Sequence, residues 1–299
     1  MIRIPEDFAR LTIDREGDHG RDWIAALPGL AESLLARWDL VPDGAVTHGQ
    51  VGLVVPVRHP DGTPAVLKIS LPHPGNVHEP DAFAVWRGRG AVLLYKRDDA
   101  RYAMLLERAE PATLHQLPDA DEAVAVAGQL ARRLAVPAPA GLPRLRDRAG
   151  EWEKELAEED ERLGRPLARR TLAAAVATVR ELGHDQPDTL VHGDLHCGNV
   201  LRAEREPWLV IDPKGWAGDP AFDAFTVLRS RVVDLLGAGD LRGALLRRLA
   251  VFADAAGVDR ERARRWAQFR TVQSAHWGLL HNDPPELVEL TGQVAELLT

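Results

Sequence analysis

Residues 192–199 read HGDLHCGN, and residues 211–215, a short interval later, read IDPKG. Apolar residues stand directly before each stretch, at Leu190 and Val191 before the first and at residues 208–210 before the second. Such short apolar runs are typical of buried strands. Each predicted strand therefore leads into a polar stretch that contains an aspartate.

The polar residues of these stretches have the spacing of a phosphoryl-transfer centre. Such a centre needs one group to orient the attacking hydroxyl and oxygen ligands to hold Mg²⁺ on the phosphates. Asp194 suits the first task, and Asn199 with Asp212 suits the second. In protein kinases the pattern is H-x-D-L-x-x-x-N followed by D-F-G. This chain keeps the step from Asp194 to Asn199 but has DPK at residues 212–214 and Gly193 in place of the arginine, which points away from protein kinases.

These departures resemble the small-molecule kinases of the aminoglycoside phosphotransferase group, and most closely the aminoglycoside/hydroxyurea antibiotic resistance kinase family, typified by streptomycin 6-kinases. The motifs that carry the resemblance lie at residues 192–196, 199–201, 211–215, 218–223, 65–68 and 105–108. The resemblance extends from about Gly49 to Asp223, which is most of the chain. It implies an α+β, two-lobed protein-kinase-like fold with a small antiparallel-sheet N-lobe and a larger, mostly helical C-lobe.

The same resemblance implies the domain boundaries: residues 1–106 for the N-lobe, 107–110 for a hinge and 111–299 for the C-lobe. Local patterns add detail within the N-lobe. They predict an outer strand or turn at residues 5–11, an amphipathic helix at 29–40, and strands at 51–57, 65–69, 91–95 and 102–106.

Lys68 follows an apolar run and would be half-buried in a strand, so its ammonium needs a partner or a ligand. A kinase supplies both, since ATP phosphates and a helix carboxylate bind the corresponding lysine. Glu79 is the preferred carboxylate because it opens a predicted helix with Pro80 at the first helical position. Asp81 is the alternative, and either residue could instead simply favour the helix N-terminus.

The remaining nucleotide-binding candidates depend on the resemblance. Gly49 and Gly52 would form a glycine loop whose backbone N–H groups approach the phosphates, although the same pattern also occurs in ordinary turns. Leu106 would be the last residue of the strand that lines the adenine pocket. Glu107 and Ala109 would lie in the hinge, where main-chain atoms bind adenine.

Together these residues predict an enzyme that uses ATP and Mg²⁺ and phosphorylates a hydroxyl of a small cationic substrate, an aminoglycoside of the streptomycin type. The resemblance implies that His192 and Asp223 brace the catalytic loop without taking part in the chemistry. Lys214 is an alternative phosphate contact, with Lys68 preferred. Cys197 lies in the loop but lacks a fixed base, so we interpret it as a small filling residue.

Composition limits the possible partners and location. The chain has 299 residues, a formal net charge of −8 and a pI near 5.8, which argues against a nucleic-acid or anionic-membrane binder and suits a cationic substrate. A single cysteine permits no intrachain disulfide. We find no apolar leader segment and no run that approaches the roughly 18 apolar residues of a membrane span, so we expect a cytoplasmic protein. The sequence does not indicate an oligomeric state.

Three other functions stay open at this point. The same architecture could phosphorylate a metabolite such as an amino alcohol or sugar, or it could be a nucleotide-binding pseudokinase. A metal-dependent hydrolase could use His192, Asp194 and His196, whose spacing resembles a set of metal ligands.

Residues 151–163, a predicted acidic helix, are either a receiver for amino or guanidino groups or a solvated helix face.

Overall fold

The computed structural model describes residues 2–299 and divides into two compact units. The first extends to Glu110 and also includes Ala203–Arg205, and the second consists of Pro111–Arg202 and Glu206–Thr299. Within residues 2–299, no helix has both the length and the apolar character needed to cross a membrane.

The first unit is an antiparallel sheet with two helices. Its elements are α1 (Glu6–Trp38), β1 (Val41–Pro42), β2 (Thr47–His48), β3 (Gly52–Arg58), β4 (Pro64–Ser70), α2 (Glu79–Trp86), β5 (Leu94–Asp98) and β6 (Ala103–Glu107). The sheet has the order β1-β3-β4-β6-β5, and β2 pairs with β3. Lys68 lies in the central strand β4, opposite Val54 of β3 and Met104 of β6.

The N-terminal helix corrects the prediction of an outer strand or turn at residues 5–11. Residues 6–11 belong to α1, which is kinked at Gly17 (φ 62°, ψ −133°) and contains Pro28. Gly17 and Pro28 are strong helix breakers, which is why the sequence suggested a helix only from Gly29 onwards. The apolar face of α1 packs into the core cluster formed with β3, β4 and β6, and this burial outweighs the local propensities.

Strand β5 begins three residues later than predicted, at Leu94 instead of Ala91. The turn follows at Asp99–Arg101. The charged run after Tyr95 looked like a turn in the sequence, yet its residues alternate between the two faces of an edge strand. A register shift between Leu94 and Lys96 accommodates the irregular pairing with β6.

The second unit is mostly helical. Its helices are α3 (Ala120–Leu134), α4 (Ala149–Arg162), α5 (Arg169–Thr178), α6 (Ala224–Ser230), α7 (Leu241–Ala256), α8 (Arg260–Leu280) and α9 (Pro285–Leu297). Its strands are β7 (Val136–Pro137), β8 (Thr189–Val191), β9 (Val200–Arg202), β10 (Trp208–Val210) and β11 (Trp216–Gly218). Asp119, Asp240 and Asp259 cap α3, α7 and α8 by accepting backbone N–H bonds.

The strands of the second unit place the two polar stretches beside each other. Strand β8 lies between β7 and β11 and leads into residues 192–199, while β9 and β10 form an antiparallel hairpin. The hairpin returns the chain to its starting point, because Ile211 N–H donates to the Asn199 carbonyl at 2.9 Å. Lys214 N–H then donates to the His192 carbonyl at 2.8 Å, so residues 211–215 lie along the loop that follows β8.

Candidate active site

Asp223 holds the start of the loop that follows β8. Its Oδ2 accepts the His192 backbone N–H at 3.1 Å, and its Oδ1 accepts the Gly193 N–H at 2.9 Å. Burial raises the pKa of Asp223 to about 7, and the bonds from Gly193 and His192 oppose that rise. The position agrees with the supporting role that the resemblance implied for Asp223.

His192 is fixed by both of its ring nitrogens. Nε2 donates to the Ile211 carbonyl at 2.9 Å, and Nδ1 accepts the Asp194 N–H at 3.2 Å. Burial lowers the pKa of His192 to about 4, so the ring is neutral and keeps this tautomer. With both nitrogens engaged, His192 is a brace and not a metal ligand. Across residues 2–299, no group of three or more His, Cys, Asp or Glu side chains is arranged to hold a metal.

Asp194 and Asn199 are held at the two ends of the same tight loop. The Asn199 side-chain amide donates to the Asp194 carbonyl at 3.0 Å, so its Oδ1 is turned away from that carbonyl. Asn199 is buried, whereas about a third of the Asp194 side chain is exposed. The loop therefore presents one accessible carboxylate next to one amide oxygen.

Asp212 completes this polar group. It adopts a left-handed backbone conformation, with φ 57°, which is uncommon for residues other than glycine and frequent at functional sites. Lys214 Nζ donates to Asp212 Oδ2 at 3.1 Å and lies 3.6 Å from Asp194 Oδ2. Two carboxylates, one amide oxygen and one ammonium thus converge in the second unit.

The first unit contains a separate buried ion pair between Lys68 and Glu79. Lys68 Nζ donates to Glu79 Oε1 at 2.6 Å, and the two side chains are 12% and 1% exposed. Asp81, the alternative partner, instead accepts from Arg97 at 2.9 Å and contacts His78 at 3.1 Å. The structure therefore pairs Lys68 with Glu79.

The two candidate loop glycines differ in their surroundings. Gly49 N–H donates to the Gly52 carbonyl at 2.9 Å and closes a turn before β3. A Cβ on Gly52 would lie 3.4 Å from Lys68 Cε and 3.0 Å from Ser70 Oγ, whereas a Cβ on Gly49 would meet nothing within 4 Å. Only Gly52 is therefore next to the buried lysine.

The three residues assigned to adenine binding lie at the end of β6. The prediction that Leu106 ends the strand is wrong by one residue, because β6 continues to Glu107. The Glu107 N–H donates to the Leu93 carbonyl. The Glu107 carboxylate pairs with Arg205 at 2.8 Å within the first unit. Ala109 is half-buried. The main-chain role of Leu106, Glu107 and Ala109 towards a nucleotide stays a prediction.

A cavity of about 410 Å³ reaches Gly193 within the second unit, and the sequence analysis did not identify its most distinctive residue. Arg270 lines it, with its guanidinium 4.3 Å from the ring centre of Phe222 and 5.0 Å from that of Phe225. Burial lowers the pKa of Arg270 to about 10, while Asp223 and Asp194 raise it, so the group is charged at neutral pH.

The sequence did contain a signal for this cavity. Trp266, Arg270, Gln273 and Trp277 have the spacing of one face of a helix, and all four belong to α8. Arg270 lies on this helix face between Trp266 and Trp277, which indicates a surface that is partly apolar and partly polar. Trp277 is 61% exposed and lines the cavity together with Arg270 and Gln273.

Several acidic side chains of helix α4 already have basic partners. Glu151 pairs with Arg148, Glu153 with Arg180, and Glu158 with Lys154. The residue of α4 that lines the cavity is Trp152. The interpretation of α4 as a solvated face is therefore better supported.

Cys197 is buried, and burial raises the pKa of its thiol. Ser230 Oγ lies 3.1 Å from its Sγ. A buried thiol with a raised pKa is a poor nucleophile, which supports its interpretation as a filling residue.

The family model for aminoglycoside/hydroxyurea antibiotic resistance kinases matches residues 37–281, most of the chain. The chain belongs to this family. The family resemblance found in the sequence is confirmed, and with it the assignment to the small-molecule kinases.

Two relatives cover nearly the whole chain. A streptomycin 6-kinase of Streptomyces glaucescens is 42% identical over 281 residues, which is 93% of this chain and 92% of that protein. A hydroxyurea phosphotransferase of Kitasatospora aureofaciens is 37% identical over 302 residues, covering 100% of this chain and 86% of the relative. The family therefore includes members named for two very different acceptors.

Solved structures confirm the fold. An aminoglycoside phosphotransferase, solved as a ternary complex with ADP and hygromycin B, aligns with a TM-score of 0.57 at 14% identity, covering 89% of this chain and 97% of that one. The predicted α+β, two-lobed protein-kinase-like fold is correct.

Proposed function

We propose that this protein is an ATP-dependent O-phosphotransferase that moves the γ-phosphoryl of Mg-ATP to a hydroxyl of a streptomycin-type aminoglycoside and so confers antibiotic resistance. The observation that carries the proposal is the convergence of Asp194, Asn199 and Asp212, braced by His192 and Asp223. The similarity to a streptomycin 6-kinase over 93% of the chain supports the choice of acceptor.

The donor atoms fit Mg²⁺. Asn199 Oδ1 and the Asp212 carboxylate are hard oxygen ligands of the kind that Mg²⁺ prefers, and both belong to the braced group around the loop. Asn199 and Asp212 would hold the ion, which when bound neutralises charge on the phosphates. The ligand set for Mg²⁺ is thus part of the proposal.

The chain's own residues divide the remaining tasks. Asp194 orients the acceptor hydroxyl and takes its proton. Lys68 binds the phosphates of ATP, and Glu79 holds the ammonium of Lys68 in place. Gly52, beside Lys68, brings the backbone of the Gly49–Gly52 turn close to the nucleotide. Main-chain atoms from Leu106 to Ala109 bind its adenine, with residues 107–110 as the hinge.

The first test measures ADP release from Mg-ATP with and without streptomycin, in wild type and in Asp194→Asn. Loss of the base lowers acceptor-stimulated kcat by about 10²- to 10⁴-fold. Asp185→Asn, which changes an exposed aspartate of the same unit, is the matched control and keeps wild-type turnover. A wild-type protein that binds ATP but transfers to no acceptor would instead be a pseudokinase, and turnover only with amino alcohols or sugars would indicate a metabolite kinase.

A second candidate acceptor is a small neutral N-hydroxy compound such as hydroxyurea. The cavity beside Gly193 is lined by Arg148, Arg229 and Arg270, and no carboxylate of residues 2–299 belongs to its lining. Arginines repel ammonium and guanidinium groups but donate well to a carbonyl oxygen. The 37% identity to a hydroxyurea phosphotransferase supports this candidate independently.

Arg270→Gln separates the two acceptors. If hydroxyurea is the substrate, the variant raises the KM for hydroxyurea by about tenfold, because a charged hydrogen bond is lost. If streptomycin is the substrate, removal of the cation leaves its KM unchanged or lower. Steady-state kinetics with both compounds, in wild type and variant, decide between them.

A further inference from the structure

Lys214 has no role in the mechanism proposed above, although the sequence offered it as an alternative phosphate contact. Its ammonium lies 3.1 Å from Asp212 Oδ2 and 3.6 Å from Asp194 Oδ2. The proposed function assigns these two carboxylates to opposite ends of the reaction, Asp194 to the attacking hydroxyl and Asp212 to the metal on the departing phosphates. The Lys214 ammonium therefore lies between the two ends.

The space between the two carboxylates is where a transferred phosphoryl group must pass. In an in-line transfer the attacking and leaving oxygens lie on opposite sides of phosphorus, and negative charge is spread over the three equatorial oxygens. A cation fixed next to that path stabilises the charge as it develops, without reorganisation at the moment of reaction. The Lys214 side chain is about a quarter exposed, so it is open to a ligand from solvent.

The backbone holds Lys214 at this position from two sides. Its N–H donates to the His192 carbonyl at 2.8 Å. Gly193 has φ +81°, and a Cβ there would lie 3.1 Å from Lys214 Cβ and 2.8 Å from Trp216 Cδ1. Only a residue without a side chain lets the two stretches approach this closely, so the loop is shaped around Lys214.

The composition of the chain strengthens the case for an ammonium here. Of 37 lysines and arginines, only four are lysines: Lys68, Lys96, Lys154 and Lys214. The chain thus uses arginine for nearly all of its cations, yet has lysine at both positions that contact the carboxylates of the proposed reaction. Lysine provides a compact point charge, whereas arginine provides a broad planar fork.

We propose that Lys214 is a catalytic residue that donates a hydrogen bond to an oxygen of the γ-phosphoryl group during transfer. The bond from the γ-phosphorus to the oxygen that leaves with ADP breaks, and a bond to the acceptor oxygen forms. The acceptor proton goes to Asp194, and Lys214 keeps its own proton throughout. The inference rests on the proposed function, since it needs a phosphoryl transfer at this centre.

The test compares Lys214→Met with Lys154→Met, which removes an exposed lysine from α4 of the same unit. Loss of a preorganised donor lowers kcat by about 10²- to 10³-fold. Because the contact is made in the transition state, the KM values for ATP and for the acceptor change far less than kcat. Lys154→Met keeps wild-type kinetics. Lys214→Arg keeps the charge and recovers part of kcat.

Other outcomes decide against the inference. Wild-type kcat in Lys214→Met overturns it, and so does a rise in KM for Mg-ATP at unchanged kcat, since Lys214 would then only position Asp212. Thermal unfolding and Mg-ADP binding measured on each variant separate a folding defect from a catalytic one, and Lys214→Gln is the second variant if Lys214→Met unfolds. A wild-type protein without phosphoryl transfer refutes the proposed function itself, and the inference falls with it.

Discussion

Lys68 and Lys214 are both ammonium groups next to carboxylates, yet the chain positions them in different ways. Lys68 lies in the middle of β4 with strands paired on both sides, and it contacts Glu79 at 2.6 Å. Lys214 lies on the short connection between β10 and β11 and contacts two aspartates at 3.1 and 3.6 Å. Strand pairing on both sides of β4 therefore positions Lys68, whereas the contact between two loop segments positions Lys214.

The difference shows in how much each site depends on its neighbouring glycine. Gly193 is in the left-handed region, and its missing side chain lets Lys214 and Trp216 approach the loop at residues 192–199. Gly52 has no positive φ, and the atoms nearest to a Cβ there are the ends of the Ser70 and Lys68 side chains. A loop-positioned lysine is therefore more sensitive to a small local change than a sheet-positioned one.

Gly193→Ala has the largest expected effect. The new Cβ would lie 2.8 Å from Trp216 Cδ1, and the backbone would be strained at φ +81°. We expect a loss of about 1–3 kcal/mol in the free energy of unfolding. We also expect kcat to fall by about 10²-fold, because the reacting groups move apart. Gly52→Ala, the matched variant, should change kcat by less than about threefold, since the only tight contact of its Cβ is with the Ser70 hydroxyl, which can rotate, and Lys68 Cε lies at an ordinary contact distance.

Urea unfolding and steady-state kinetics of the two alanine variants check this comparison. Equal losses of kcat in Gly193→Ala and Gly52→Ala would show that the loop and the sheet hold their lysines equally firmly. Such a result would contradict the distinction between the two regions.

Glu79→Gln has an intermediate expected effect. It removes the charge that holds Lys68 in place, so kcat/KM for ATP should fall by about tenfold through poorer positioning of the phosphates. Asp81→Asn is the matched control, because Asp81 lies two residues along the same helix but contacts Arg97 and His78. It should leave kcat/KM for ATP unchanged. A larger loss in Asp81→Asn than in Glu79→Gln would contradict the assignment of Glu79 as the functional partner.

The surroundings of Lys68 in the sheet were easier to predict than those of Lys214. An apolar run that ends in Lys68, and a proline one residue after Glu79, are local signals for a strand and for a helix start. The structure has both elements, at β4 and α2. The pairing itself could be predicted because a buried ammonium must find a carboxylate. The aspartate caps at Asp240 and Asp259 are equally local, since each side chain accepts a backbone N–H three residues further along.

The surroundings of Lys214 in the loop were predicted only in part. The spacing from Asp194 to Asn199 and the aspartate at the end of the next strand could be read from the sequence. The contact of Lys214 with both aspartates could not, because it depends on how the β9–β10 hairpin returns the chain. Arg270 was missed for the same reason, since its place beside Phe222 and Phe225 is a tertiary contact.

The N-terminal helix shows the opposite error. Local signals at Gly17 and Pro28 argued for an interruption, and burial of apolar residues against the sheet overrode them. Local propensities therefore gave a wrong boundary where tertiary packing was strong.

The smallest expected effect concerns His192, the brace of the loop that faces Lys214. Burial lowers its pKa to about 4, whereas an unfolded histidine titrates near its ordinary pKa of 6.5. Between these pH values the unfolded state binds a proton that the native state does not, so this group makes stability rise with pH. Burial raises the pKa of Asp223 to about 7 from 3.8, so the native state binds more protons there and stability falls as pH rises. His192 and Asp223 therefore make opposite contributions to the pH dependence of stability within one loop.

Single variants separate the two contributions. In His192→Gln, the free energy of unfolding should increase relative to that of the wild type as pH falls from 7 to 4, because the penalty for keeping the imidazole neutral is removed. In Asp223→Asn the difference from wild type should change in the opposite direction over the same range, since a native-state proton site is lost. Urea unfolding at several pH values between 4 and 7 measures both differences. If both differences stay constant with pH, neither His192 nor Asp223 has a pKa that is perturbed in the native state. The loop at residues 192–199 would then be held no differently from the strand that carries Lys68.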